Sequence, residues 1–194
     1  PPQRGYLPVS CFTHLVSMPI LQSAASVLLL RPFRQPQLRF LGSWVILLDP
    51  IGLWREDLPI VDWISAPAER LPGLLFKDPA SRAAQSMLAL PEDANIAASA
   101  IAARVWAFGC TGKFAWPIPD RGLRTRLHRL KVPVLLVWGR DDAIVPVRYT
   151  EEWQKEVSDI TVTVIDDCGH IPQVEKLNET ITAVDEFLTF AEES

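Results

Sequence analysis

The sequence predicts an α/β protein built on a parallel sheet, and three stretches predict it. Val134–Trp138 (VLLVW) and Thr161–Ile165 (TVTVI) are short β-type runs, separated by Tyr149–Val157, whose composition is helical. Strand, helix, strand in that order is a βαβ unit, which pairs its strands in parallel through a right-handed crossover. Trp44–Leu48 (WVILL) is a continuous apolar run, as a strand buried on both faces of a parallel sheet requires. Near the C-terminus, Glu175–Phe190 sets Leu177, Ile181, Val184, Phe187 and Leu188 on one side of a helix that can cover a sheet face.

In chain order, residues 1–43 differ from the rest. No Asp or Glu precedes Asp49, although the chain holds 23, and prolines stand at 1, 2, 8, 19, 32 and 36. Val16–Leu30 is apolar enough for a helix, but Pro19 interrupts it and Pro32 closes it, so the segment is expected to be poorly ordered. The Trp44–Leu48 strand would then have an open edge. It ends in Asp49-Pro50, where the acid has two readings: a functional group at a strand end, or a cap for the following turn.

Residues 51–126 are punctuated by proline and read as helices over Ala66–Phe76, Pro79–Leu90 and Asp93–Phe108. Asp78-Pro79 and Pro91-Glu92-Asp93 have the form of helix entries, with an acid near the positive end of the helix dipole. Ala83, Ala84, Met87, Leu88 and Leu90 form one apolar stripe, and Ile96, Ala100, Ala103 and Ala107 another. Asp120–Leu130 is a basic amphipathic stretch in which His128 lies among Arg124, Arg126 and Arg129, a pattern usual for a solvated face. Lys131-Val132-Pro133 leads into the next strand, with proline at the entry position.

Composition narrows the functions. With 194 residues the chain can form one domain with a sizeable core, and 48% hydrophobic with 22% charged residues is ordinary for a soluble globular protein. A net charge of −4 gives no basic surface for nucleic acid. Cys11, Cys110 and Cys168 lack metal-ligand spacing, and their odd number argues against a disulfide framework, which fits a cytoplasmic compartment. No apolar run reaches the roughly 18 residues of a membrane span, and no signal-peptide pattern is present.

The chemistry concentrates where the two βαβ strands end. The first runs into Gly139-Arg140-Asp141-Asp142 and the second into Asp166-Asp167-Cys168-Gly169-His170. Parallel pairing brings both clusters to the carboxyl edge of the sheet, where open α/β sheets build their sites. A carboxylate beside a histidine can fix the imidazole tautomer and leave the other ring nitrogen as general base and then general acid. Asp141 and Asp142 are both placed to be that acid. Cys168, on the histidine's own loop, is read as a packed residue rather than a nucleophile.

The segments LLVWGRDDAIVP and CGHIPQVE resemble the acid and histidine turns of the α/β-hydrolases, and DPIGLWREDLPI resembles the stretch leading into their cap. The resemblance covers roughly 44–190. It implies a partial parallel-sheet hydrolase core at 44–50 and 127–194, a helical cap at 51–126, and an atypical segment at 1–43. It implies Asp142 and His170 as the catalytic acid and base, no metal or organic cofactor, and a small apolar ester-like or carbonyl substrate. Trp54, Trp63, Trp106, Phe108, Phe114 and Trp116 then either line an apolar pocket or pack cap against core. Neither the family's G-x-S-x-G elbow nor its HGGG-type oxyanion loop occurs. Ser23, in Leu21-Gln22-Ser23-Ala24-Ala25, comes nearest to the elbow serine, and Ser17, followed by Met18-Pro19, fits worse. The sequence thus suggests a hydrolase fragment with an alien upstream stretch, or an inactive remnant that only binds an apolar ligand or partner.

Overall fold

The computed structural model describes residues 26–28, 44–115, 118 and 122–193. Its sheet has the order β1 (Ser26–Leu28), β2 (Val45–Leu48), β3 (Val134–Gly139) and β4 (Ile160–Ile165). The last three strands run parallel, with Leu48 opposite Val137 and Gly139 opposite Ile165, so all three end at one edge. The β3–β4 crossover is α5, Tyr149–Glu156. Between β2 and β3 lie α1 (Leu71–Leu75), α2 (Arg82–Leu88), α3 (Ala94–Ala115) and α4 (Arg124–Leu127). After β4 come α6 (Pro172–Glu175) and α7 (Leu177–Glu193). The parallel α/β class expected from the βαβ pattern is therefore present.

The continuous apolar runs of β2 and β3 are explained by cover on both faces. Val45, Leu47, Val134, Leu136 and Trp138 share a core with Leu53, Trp63, Tyr149 and Trp153. Ile46, Leu48, Leu135 and Val137 share another with Ala183, Val184 and Phe187 of α7. Tyr149 reaches out of the crossover helix: its hydroxyl accepts the Arg55 N–H at 2.9 Å and donates to the Leu58 carbonyl at 2.7 Å. Glu152 binds Arg124 and Lys155 at 2.8 and 2.7 Å. The arginine stretch is thus partly tied to α5 rather than wholly solvated, while His128 is exposed.

Several local expectations change. Ser26–Leu28 is a strand, not part of a helix over 16–30, and it pairs antiparallel with β2, register Ser26 opposite Leu48. The hydrogen-bonding groups along the β2 edge offer this run a partner, whereas Pro19 and Pro32 interrupt the competing helix. The β2 edge is accordingly not open. Helix α2 starts at Ser81, whose Oγ accepts the Ala84 N–H at 3.2 Å, later than the Asp78-Pro79 entry. Asp93 does cap α3, accepting from Asn95 and Ile96 at 2.9 and 3.0 Å. That helix runs on to Ala115, and its supposed apolar stripe is not a buried face: Ala107 is buried but Ile96 is 59% exposed. Few groups hold it: the Arg104 guanidinium on the carbonyls of Met87, Leu88 and Ala89, and Phe108 packed on Trp63 with ring centroids 5.5 Å apart. The last helix is broken at Lys176 into α6 and α7. No helix among the described residues is long and apolar enough to cross a membrane.

Candidate active site

Because β2, β3 and β4 end in register, Asp49, the Arg140–Asp142 turn and the Asp166–His170 loop meet at one edge of the sheet. The Nδ1–H of His170 donates to Oδ2 of Asp142 at 2.8 Å. The other oxygen, Oδ1, accepts the backbone N–H groups of Ile144 and Val145 at 2.8 and 2.9 Å, an Asx-type turn that fixes the carboxylate from behind. The Asp142 side chain is fully buried and that of His170 is 12% exposed. Indole Nε1 of Trp138 donates to the Val145 carbonyl at 3.0 Å and locks the acid turn onto β3. The competing acid, Asp141, points elsewhere and pairs with Lys77 at 2.8 Å.

Two glycines allow the loops to approach, through space rather than backbone torsion. A Cβ on Gly139 would lie 2.0 Å from the Gly169 carbonyl oxygen and 2.6 Å from that of Cys168. One on Gly169 would meet the backbone at Lys77 and Leu75 at 2.7 and 2.8 Å. The left-handed residue of this loop is not Gly169 but Asp167, with φ 49°. Glu175 anchors the loop from α6. Its Oε2 accepts the Gly169 N–H at 2.6 Å, while Oε1 accepts those of Lys77 and Asp78 at 2.8 and 3.3 Å. The His170 N–H donates to the Leu75 carbonyl at 2.9 Å. Cys168 is buried, and that burial pushes its thiol up, away from the thiolate a nucleophile needs.

Asp49 belongs to the same cluster. It does not act chiefly as a turn cap, since its Oδ1 accepts the Gly139 N–H across the sheet at 2.9 Å. The residue is fully buried, adopts a left-handed φ of 43°, and its Oδ2 has no hydrogen-bond partner. Burial, then the charge of Asp142, hold its carboxyl well above the ordinary range, against the Gly139 N–H, which favours the charged form. One side-chain atom from each of Asp49, Asp142 and His170 lies within 4.8 Å of the other two. The histidine Nδ1 and both Asp142 oxygens are engaged in hydrogen bonds. The signal for Asp49 lay in its place at the end of an apolar run parallel to the acid strand. Ser23 and Ser17 lie outside the described residues. So does Trp116, whereas Trp106 is 73% exposed and Trp63 is packed in the core.

Three parallel strands with an acid–histidine pair at their carboxyl edge are similar to parts of known proteins. The sequence profile of the alpha/beta hydrolase fold matches residues 107–177. Monoacylglycerol lipase ABHD6 of Mus musculus is 29% identical over 66 residues, 34% of this chain and 20% of that protein. Lipase 1 of Psychrobacter immobilis is 35% identical over 54 residues, 28% of this chain and 17% of the lipase. Among solved structures, a meta-cleavage product hydrolase from Pseudomonas fluorescens IP01 superimposes with a TM-score of 0.52 at 18% identity, over 75% of this chain and 55% of that one. A thermophilic esterase does so with a TM-score of 0.52 at 18% identity, covering 76% and 56%. Over residues 107–177 the chain is thus similar to the α/β-hydrolases, and the superpositions show that it shares their fold. It spans about a fifth of the related lipases and just over half of the solved structures.

Proposed function

We propose that this chain carries the acid and base of a hydrolase that cleaves ester or related carbonyl bonds in small apolar substrates. The 2.8 Å contact between Asp142 and His170 carries the reading. With Nδ1–H committed to Asp142, Nε2 is left with its lone pair. It takes a proton from a nucleophilic hydroxyl and later returns it to the leaving group, while Asp142 stabilises the imidazolium formed between the two steps. Residues 51–126 act as the cap above that edge. The names of the related proteins, two lipases, an esterase and a meta-cleavage product hydrolase, support a carbonyl-centred substrate.

The sequence holds no G-x-S-x-G, so the chain as written supplies acid and base without an elbow serine. That same observation favours a second reading, an inactive remnant that binds an apolar ligand or partner. Fusing residues 44–194 behind the nucleophile-bearing half of an α/β-hydrolase lipase separates the two. The first reading expects ester hydrolysis that His170→Ala lowers by about 10³-fold or more. A folded chimera without activity supports the remnant, and activity indifferent to His170→Ala rules out the assigned base.

A further inference from the structure

The acid–base reading leaves Asp49 unused, although it is the most deeply buried charged residue at the site. Its Oδ2 lacks a hydrogen-bond partner and sits in a cluster whose other carboxylate is an acceptor on both oxygens. Two ionised carboxylates cannot share such a space, because burial and mutual repulsion both oppose the second charge. Asp142 accepts three N–H donors, whereas Asp49 accepts one, that of Gly139. The charge therefore belongs on Asp142 and the proton on Asp49 Oδ2. Oδ2 of Asp142, which accepts the His170 Nδ1–H, has a second lone pair to receive it.

We propose that Asp49 is a positioning residue: its protonated Oδ2 donates to the Asp142 carboxylate and helps hold the acid that orients His170. This rests on the acid–base reading of the site. The raised affinity of Asp49 for its proton agrees with the geometry. The groups facing it are Asp142 from the acid turn, His170 and Cys168 from the histidine loop, and Glu175 from α6. The left-handed backbone at Asp49, unusual outside glycine, aims the carboxyl back across β3, where Gly139 holds its other oxygen.

Infrared spectroscopy on the full chain at neutral pH tests the proton. The carbonyl stretch of a protonated carboxylic acid should be present and should lose one carboxyl's intensity in Asp49→Asn. Proton NMR of the His170 ring tests the positioning. Asn keeps the oxygen for Gly139 and offers an N–H to Asp142, so Asp49→Asn should retain the Nδ1–H resonance. Asp49→Ala should broaden it, and if Ala unfolds the chain the Asn spectrum still decides. A neutral-pH spectrum without the protonated-carboxyl band, or with one that survives Asp49→Asn, overturns the proposal. Loss of the Nδ1–H resonance in the unsubstituted chain while the band persists overturns the acid–histidine reading instead.

Discussion

At Gly139 a single methyl group decides whether the acid turn and the histidine loop can meet. A Cβ there would fall 2.0 Å from a backbone carbonyl oxygen that has no flexible end to yield. Gly139→Ala should cost about 3 kcal/mol or more, measured by urea unfolding, because two loops must part to admit it. An unchanged midpoint would refute that crowding. Asp49 makes a prediction with a sign. Its carboxyl keeps a proton in the fold that the unfolded chain releases, so its contribution is fully present below the ordinary carboxylate range. It is lost as pH rises through the higher folded value. Asp49→Asn, neutral throughout, should flatten the alkaline fall of the melting temperature, and parallel curves for the two proteins would contradict this.

At the scale of elements, Glu175 joins α6, the histidine loop and the segment after α1 through three backbone N–H donors. Glu175→Ala should destabilise by about 1.5–3 kcal/mol in urea unfolding, the range for hydrogen bonds to a charged group. Helix α3 should respond in the opposite sense. Gly109 and Gly112 lie within it with nothing near their would-be Cβ atoms, so alanine at either should stabilise by about 0.5–1 kcal/mol. A loss of stability there would mean that something packs on that face. The strands, their direction and the juxtaposition of Asp142 with His170 were legible because apolar runs, a crossover helix and polar strand ends are local patterns. Which of Asp141 and Asp142 faces the histidine was less legible, since Ile144 and Val145 settle it through backbone donors that any side chains would supply. Asp49 was ambiguous for a similar reason: its partner Gly139 lies 90 positions away and contributes only an N–H. The burial of α3 was misjudged because its alanine-rich pattern fits many faces equally well, and what covers a helix is decided by tertiary contact.

For the molecule as a whole, the exposed apolar residues of α3 stand out: Val105 is 67% and Trp106 73% exposed. Clustered apolar exposure favours association, so light scattering should rise with protein concentration and fall in a Val105→Ser, Trp106→Ser variant. Equal scattering by both proteins would contradict this. The contacts made by Glu175 have a further consequence for motion. The amides of Lys77, Asp78 and Gly169 all end on one carboxylate, and that of His170 ends on Leu75 beside them. None can be exposed to deuterium without disturbing the arrangement that protects the others. These four amides, drawn from segments nearly a hundred residues apart, should therefore exchange as one cooperative unit. The base is held by a latch that opens entire, so the histidine loop keeps its place or leaves it together with the segment that follows α1.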